Sequence, residues 1–232
     1  MVREQSEQGK SERSEFPRGE SERSELRKRP SQERRTQAER TALSEKRMLE
    51  AAVRLVTHHG CEKTTLRMIG QAAGYSRGLV SHRYGSKAGL FRAVMEWISE
   101  RWQRELDPAV ASRTGVDALC TFVDAHGRFA QEWPQGVRAL FVLWFQAINP
   151  ESELREVMLE EQARVRAQVA AWIRAGVESG DVRPDTCVAS QAAQFCGTLY
   201  GITYQWLLDP DRMRLGDLLA ELKASTVAIL AT

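Results

Sequence analysis

From Thr41 to the C-terminus, apolar residues recur three and four positions apart, and no stretch sustains the alternation that a strand requires. That feature confines the chain to an all-α fold. Met48, Leu49, Ala52, Val53 and Val56 share one face of a first helix that runs to Gly60. Leu66, Ile69 and Ala73 share a face of a short second helix, with Thr64 or Thr65 placed to cap its start and Gly74 to end it. Ser76 can cap a third helix, which Gly85 stops; its few apolar residues, Leu79, Val80 and part of Tyr84, are expected to anchor it. Ser86 opens a long fourth helix with Phe91, Val94, Ile98 and Trp102 aligned, ending near Pro108. Beyond it, helices are expected over 116–131, from Pro134 to the Asn149-Pro150 break, over 151–179, over 186–207 and from Leu215 to Ile229. That makes about nine helices, with no internal repeat.

A chain of 232 residues, 42% of them hydrophobic, can build one large domain or two small ones around a real core. The net charge of +2 is uninformative, but its distribution is not: residues 1–100 carry a net +6 and residues 101–232 a net −4. A basic front suggests an anionic partner there. Residues 1–35 are rich in Ser, Glu, Arg and Gln and nearly free of large apolar groups, the composition of a disordered tail. Only "RKRPSQERR" within it is locally cationic. Cys61, Cys120, Cys187 and Cys196 show no close pairing, and His58, His59, His82 and His126 do not cluster with them at ligand spacing. No metal and no cofactor are expected. There is no apolar run near 18 residues and no apolar leader segment, which predicts a cytoplasmic chain without a membrane partner.

The segment "AAGYSRGLVSHRYGSK" (72–87) combines helix-weakening glycines with four basic or titratable side chains, Arg77, His82, Arg83 and Lys87. Two short helices joined at Gly74-Tyr75 have the connection length of a helix-turn-helix. From Lys63 to Met95 there are six Lys or Arg and no Asp or Glu, where average density would place about four acids. A solvated helical face normally mixes both signs; one without carboxylates avoids repelling phosphate. Gly78, near the start of the third helix, removes the side chain that would hold the backbone off a neighbouring surface. Ser76, Arg77, Ser81, His82 and Arg83 can face outward, Arg and Ser being able to bond base edges, while Lys87 suits a phosphate.

The stretch "TTLRMIGQAAGYSRGLVSHRYGSKAGLF" (64–91) resembles the DNA-binding signature of TetR-type transcriptional regulators, in Thr64-Thr65, Ile69, Ala73-Gly74, Ser76, Gly78, Tyr84, Ser86-Lys87 and Leu90. Arg35–Gly60 is similar to the first helix of that family. The family often has tyrosine where Ser81 stands and an acid where Ala88 stands, so a phosphate contact would fall to Tyr84, Arg83 or His82. The resemblance implies a helix-turn-helix domain over 36–88, with Thr65, Arg67, Ser76, Arg77, Gly78, Ser81, His82, Arg83, Tyr84 and Lys87 on double-stranded operator DNA. It also implies a helical domain over 89–232 that dimerises and binds a small effector.

The residues of the back half add detail. Ala189, Ala193, Gly197 and Gly201 recur every four positions and form a smooth ridge for close helix packing. With Tyr200 beside the ridge, and Leu218 and Leu222 of the last helix, they are the expected homodimer face; packing within one protomer is the alternative. Five of the six Trp lie between Trp97 and Trp172. Trp97, Phe122, Phe129, Trp144, Phe145 and Trp172, with Phe195 and Leu199, could line a cavity for a small apolar or aromatic effector, or could simply fill the core. His126 falls within the apolar arc of its helix and would be the polar group of such a cavity. Two other readings stay open: an all-helical enzyme using that cavity, although no nucleophile or phosphate-loop motif is present, and a DNA-binding regulator without a working pocket.

Overall fold

The computed structural model describes residues 36–232, and the expected disordered tail over 1–35 lies outside the described residues. The expected helices all form. They are α1 (Gln37–Lys63), α2 (Leu66–Ala73), α3 (Arg77–Tyr84), α4 (Lys87–Val110), α5 (Gly115–Glu132), α6 (Pro134–Ala147), α7 (Arg155–Ser179), α8 (Val188–Leu208) and α9 (Leu215–Leu230). Among the described residues there is no strand, only an isolated bridge between Val182 and Ala231.

Local chemistry sets the boundaries. The Met68 N–H donates to Thr65 Oγ1 (3.2 Å), the Leu79 N–H to Ser76 Oγ (3.2 Å) and the Gly89 N–H to Ser86 Oγ (3.0 Å). Three consecutive helices thus start on a hydroxyl cap, each worth about 1 kcal/mol. Gly74 closes α2 in the left-handed region (φ 81°), its N–H reaching the Gln71 and Gly70 carbonyls. Two of the boundaries that differ from expectation have a visible cause. α1 breaks at Gly60 but resumes for one turn to Lys63, where Thr64 donates its hydroxyl to the Gly60 carbonyl at 2.7 Å. α7 starts at Arg155 because Asn149 and Ser152 side chains accept the Glu151 and Leu154 N–H groups, which holds the preceding residues in turns.

The apolar stripes converge as periodicity requires. Met48, Val53, Val56, Ile69, Val80, Leu90 and Val94 are buried among α1 to α4. Leu119, Val123, Leu143, Val169, Ile173, Leu199 and Leu219 are buried among α5 to α9. α1 packs on α6, where Thr57, whose hydroxyl donates to the Val53 carbonyl (2.8 Å), lies 3.4 Å from the Gln135 carbonyl, and α4 runs unbroken past both groups of helices. Asp181, from the turn after α7, accepts the Val116 N–H at 2.9 Å and so caps α5 from 65 residues away. Asp124 and Lys223 pair at 2.6 Å across α5 and α9.

Candidate functional site

The turn between α2 and α3 is tight enough to exclude a methyl group. A Cβ on Gly70 would lie 2.9 Å from the Tyr75 carbonyl oxygen and 3.2 Å from Ser76 backbone atoms. The Tyr75 N–H donates to the Gly70 carbonyl at 2.8 Å, locking the turn onto α2. Gly70 is therefore the close-approach glycine of the motif. Gly70→Ala is expected to cost about 1–3 kcal/mol by overpacking against backbone, read as a lowered melting temperature.

With the turn locked, α3 presents Ser76, Arg77, Gly78, Leu79 and His82 to solvent and buries Val80. Thr65 and Arg67 are exposed on α2; Ser81 is half-buried. Three residues sit differently from the sequence expectation. Arg83 does not face outward: its guanidinium donates to the Thr41 carbonyl (3.2 Å) and Ser44 Oγ (3.1 Å) and lies 3.7 Å from the Glu45 carboxylate. It moors α3 to α1 through acceptors some 40 residues upstream. Tyr84 turns inward, in keeping with its expected share in anchoring α3 but away from the outer face; its hydroxyl is buried without a partner, and burial, with the Glu45 charge nearby, pushes its pKa up to about 12. Leu79, expected to anchor α3, is 38% exposed. Lys87 is exposed, yet its ammonium donates to the Cys61 and Glu62 carbonyls at the end of α1, 3.2 Å each, which leaves one N–H for another acceptor.

A cavity of about 50 Å³ lies between α4, α5, α6, α7 and α8. Phe122, His126, Phe129 and Trp144 line it as expected. Trp102, Phe141, Tyr200 and Glu161 line it too and were not expected there. Tyr200, expected beside the small-residue ridge on the dimer face, lines this cavity, and its ring meets Trp144 edge-on at 4.9 Å. The other anticipated residues fall outside the lining. Trp97 packs edge-on against Trp133 at 5.2 Å, Phe145 is 51% exposed beside Tyr204, and Leu199 is buried in the core. Trp172 and Phe195 stand behind Phe122, with centroids 5.7 and 6.0 Å away. The helical phase of α4 carried a usable signal, since it sets Trp102 in line with Ile98, another lining residue.

His126 and Trp144 bring ring nitrogens into this lining. Thr203 spends its hydroxyl proton on the Leu199 carbonyl (2.8 Å), so His126 Nε2, 2.8 Å from Thr203 Oγ1, must be the donor of that pair. Nδ1 is then the ring's acceptor. Burial lowers the His126 pKa to about 4, so the ring is neutral at ordinary pH. Trp144 Nε1 is a buried donor without a partner. Trp144, Ser99, Leu140 and Glu161 also line a surface groove of about 360 Å³ between α4 and α7. Ser99 and Arg164 both donate to the Glu161 carboxylate, at 3.2 Å and 2.8–3.0 Å. Burial raises the Cys61 and Cys196 thiols to about 11, which keeps them protonated and weakly nucleophilic.

On α8, Ala189, Ala193 and Gly197 are exposed and Gly201 is half-buried; a Cβ at either glycine would meet nothing within 4 Å. The ridge is therefore not consumed by packing within the protomer. Leu218 and Leu222 line an adjoining groove of about 310 Å³ between α8 and α9, with Phe195, Thr198 and Ile202.

A locked two-helix turn with a carboxylate-free outer helix, set on a bundle with an interior cavity, defines a helix-turn-helix regulator. Residues 48–94 match the family model for bacterial regulatory proteins of the tetR family, and residues 116–231 that for the C-terminal region of BetI-type transcriptional repressors. The chain belongs to the TetR family of DNA-binding transcriptional regulators. It is 27% identical over 130 residues to the regulator BetI of Agrobacterium fabrum, a match that covers 56% of this chain and 63% of that protein. A regulator from Saccharomonospora viridis solved in complex with choline superposes with a TM-score of 0.72 at 15% identity, over 82% of this chain and 99% of that one. SmeT solved with triclosan, the repressor of a Stenotrophomonas maltophilia multidrug efflux pump, gives 0.71 at 19%, over 82% and 92%. No helix among the described residues is long and apolar enough to cross a membrane.

Proposed function

We propose that the protein is a ligand-responsive repressor that binds a near-palindromic operator as a homodimer. The observation that carries this reading is the outer face of α3: Ser76, Arg77, Gly78 and His82 are exposed together on a helix whose start is capped by Ser76 and whose neighbours α2 and α4 are capped by Thr65 and Ser86. Residues 36–88 then form the reading head. Residues 89–232 form the sensing and pairing body, with Ala189, Ala193, Gly197 and Gly201 against the partner. Two recognition helices one helical turn of DNA apart, about 34 Å, account for the palindrome.

The effector in this reading is small and apolar or aromatic, with an acceptor for Trp144 Nε1–H and a donor for His126 Nδ1. The cavity is smaller than such sites usually are, so the effector enters from the α4–α7 groove by displacing side chains that line both spaces. Structural relatives that hold choline and triclosan support a small-molecule role for this bundle. Effector binding favours a state whose two α3 helices no longer match the half-site spacing, a coupling of about 1–3 kcal/mol.

Selection of bound duplexes from a random pool tests the DNA part: an inverted repeat is expected, with log affinity falling steeply against log salt. A screen of small hydrophobic compounds by melting temperature tests the sensing part. A compound at 100 times its dissociation constant should add about 2.7 kcal/mol and release the selected operator. A repeat-free selection sinks the dimeric reader; stabilisation without release sinks the sensor.

A further inference from the structure

Leu79 is 38% exposed on an eight-residue helix whose buried anchor is Val80. Exposed leucines are ordinary on protein surfaces. This one occupies the third position of the helix read above as entering the groove, and the N-terminal residues of such a helix meet base edges. Its N–H is held by Ser76 Oγ at 3.2 Å, so the side chain stands on a fixed first turn. Beside it, a Cβ on Gly78 would meet only Ser76 Oγ, at 3.7 Å, which leaves the approach to a neighbouring surface open. No carboxylate occurs from Lys63 to Met95 to repel a polyanion there. An isobutyl group cannot read a hydrogen-bond pattern. The apolar group that the major groove offers it is the C5-methyl of thymine.

We propose that Leu79 is a specificity-determining residue that packs on a thymine methyl in each half-site. The inference rests on α3 being the groove-entering helix. It adds that one operator position is read by methyl burial, beside positions read through hydrogen bonds by Arg77, Ser76 or His82.

The test starts from the operator selected by the full-length protein. Each thymine is replaced in turn by uracil, which deletes the methyl and preserves base pairing. At one symmetry-related pair of positions, uracil is expected to weaken binding about fourfold per half-site, the share of one buried methyl. Leu79→Ala should bind the thymine and uracil operators equally at that position while keeping the wild-type response elsewhere. The substitution is at an exposed site, and an unchanged melting temperature confirms that the head is intact. Tolerance of uracil at every position, or a preference for thymine that survives Leu79→Ala, overturns the proposal while leaving α3 as the reader. Failure to select any operator overturns both.

Discussion

Arg77→Ala is expected to abolish preference for the selected operator while leaving weak binding to random duplexes nearly intact. Arg77 is exposed in the first turn of α3 and its side chain makes no ion pair or hydrogen bond to another described residue, so truncating it leaves the fold unharmed. A guanidinium bidentate to a guanine edge is worth about 1–3 kcal/mol of discrimination. Two half-sites double that, giving a loss of roughly 30-fold to 10⁴-fold on the operator. Titrations of operator and scrambled duplex at one salt concentration decide the matter. Equal losses on both would make Arg77 a phosphate contact, and the salt slope would then fall by about one per site.

The second large effect is acid destabilisation by His126. Its ring is buried and neutral in the folded protein, with a pKa of about 4, against 6.5 when solvated. Above pH 6.5 both folded and unfolded chains hold it neutral, and nothing is lost. As pH falls from 6.5 to 4, the unfolded chain binds a proton that the folded chain refuses, so stability declines. Below about 4 both are protonated and the loss levels off at about 3 kcal/mol. His126→Gln keeps an N–H for Thr203 but does not titrate. Urea unfolding at fixed protein concentration should give a free energy that falls more steeply with acid for the wild type than for His126→Gln. Parallel curves would show that the ring is solvated or already charged in the fold.

How much could be read from the chain depended on how local each interaction is. The caps of α2, α3 and α4 bond within three residues of Thr65, Ser76 and Ser86, so hydroxyl placement marked Ser76 and Ser86 outright and narrowed the α2 cap to Thr64 or Thr65. The faces of α3 were harder. Eight residues make little more than two turns, too few for periodicity to separate Val80, which is buried, from Leu79, which is not. Arg83 was misplaced for a different reason: its partners Thr41 and Ser44 lie about 40 residues away, and no local pattern announces them. The cavity was half legible. The concentration of aromatic residues marked Phe122, Phe129 and Trp144, and helical phase marked His126, but Tyr200 joins them only because α8 crosses α6 at Trp144. The cap that Asp181 places on α5 is fully non-local.

The unbroken course of α4 has a mechanical consequence. Lys87, clamped to the end of α1, and Trp102, in the cavity wall, are fifteen residues apart on one helix, about 22 Å along its axis. A stiff lever of that length turns a tilt of about 5° at the tryptophan into a swing of about 2 Å at the lysine. In the proposed homodimer, two such levers swinging apart would double the mismatch with the rigid pitch of a duplex. A molecule too small to touch the reading surface could thereby throw it out of step.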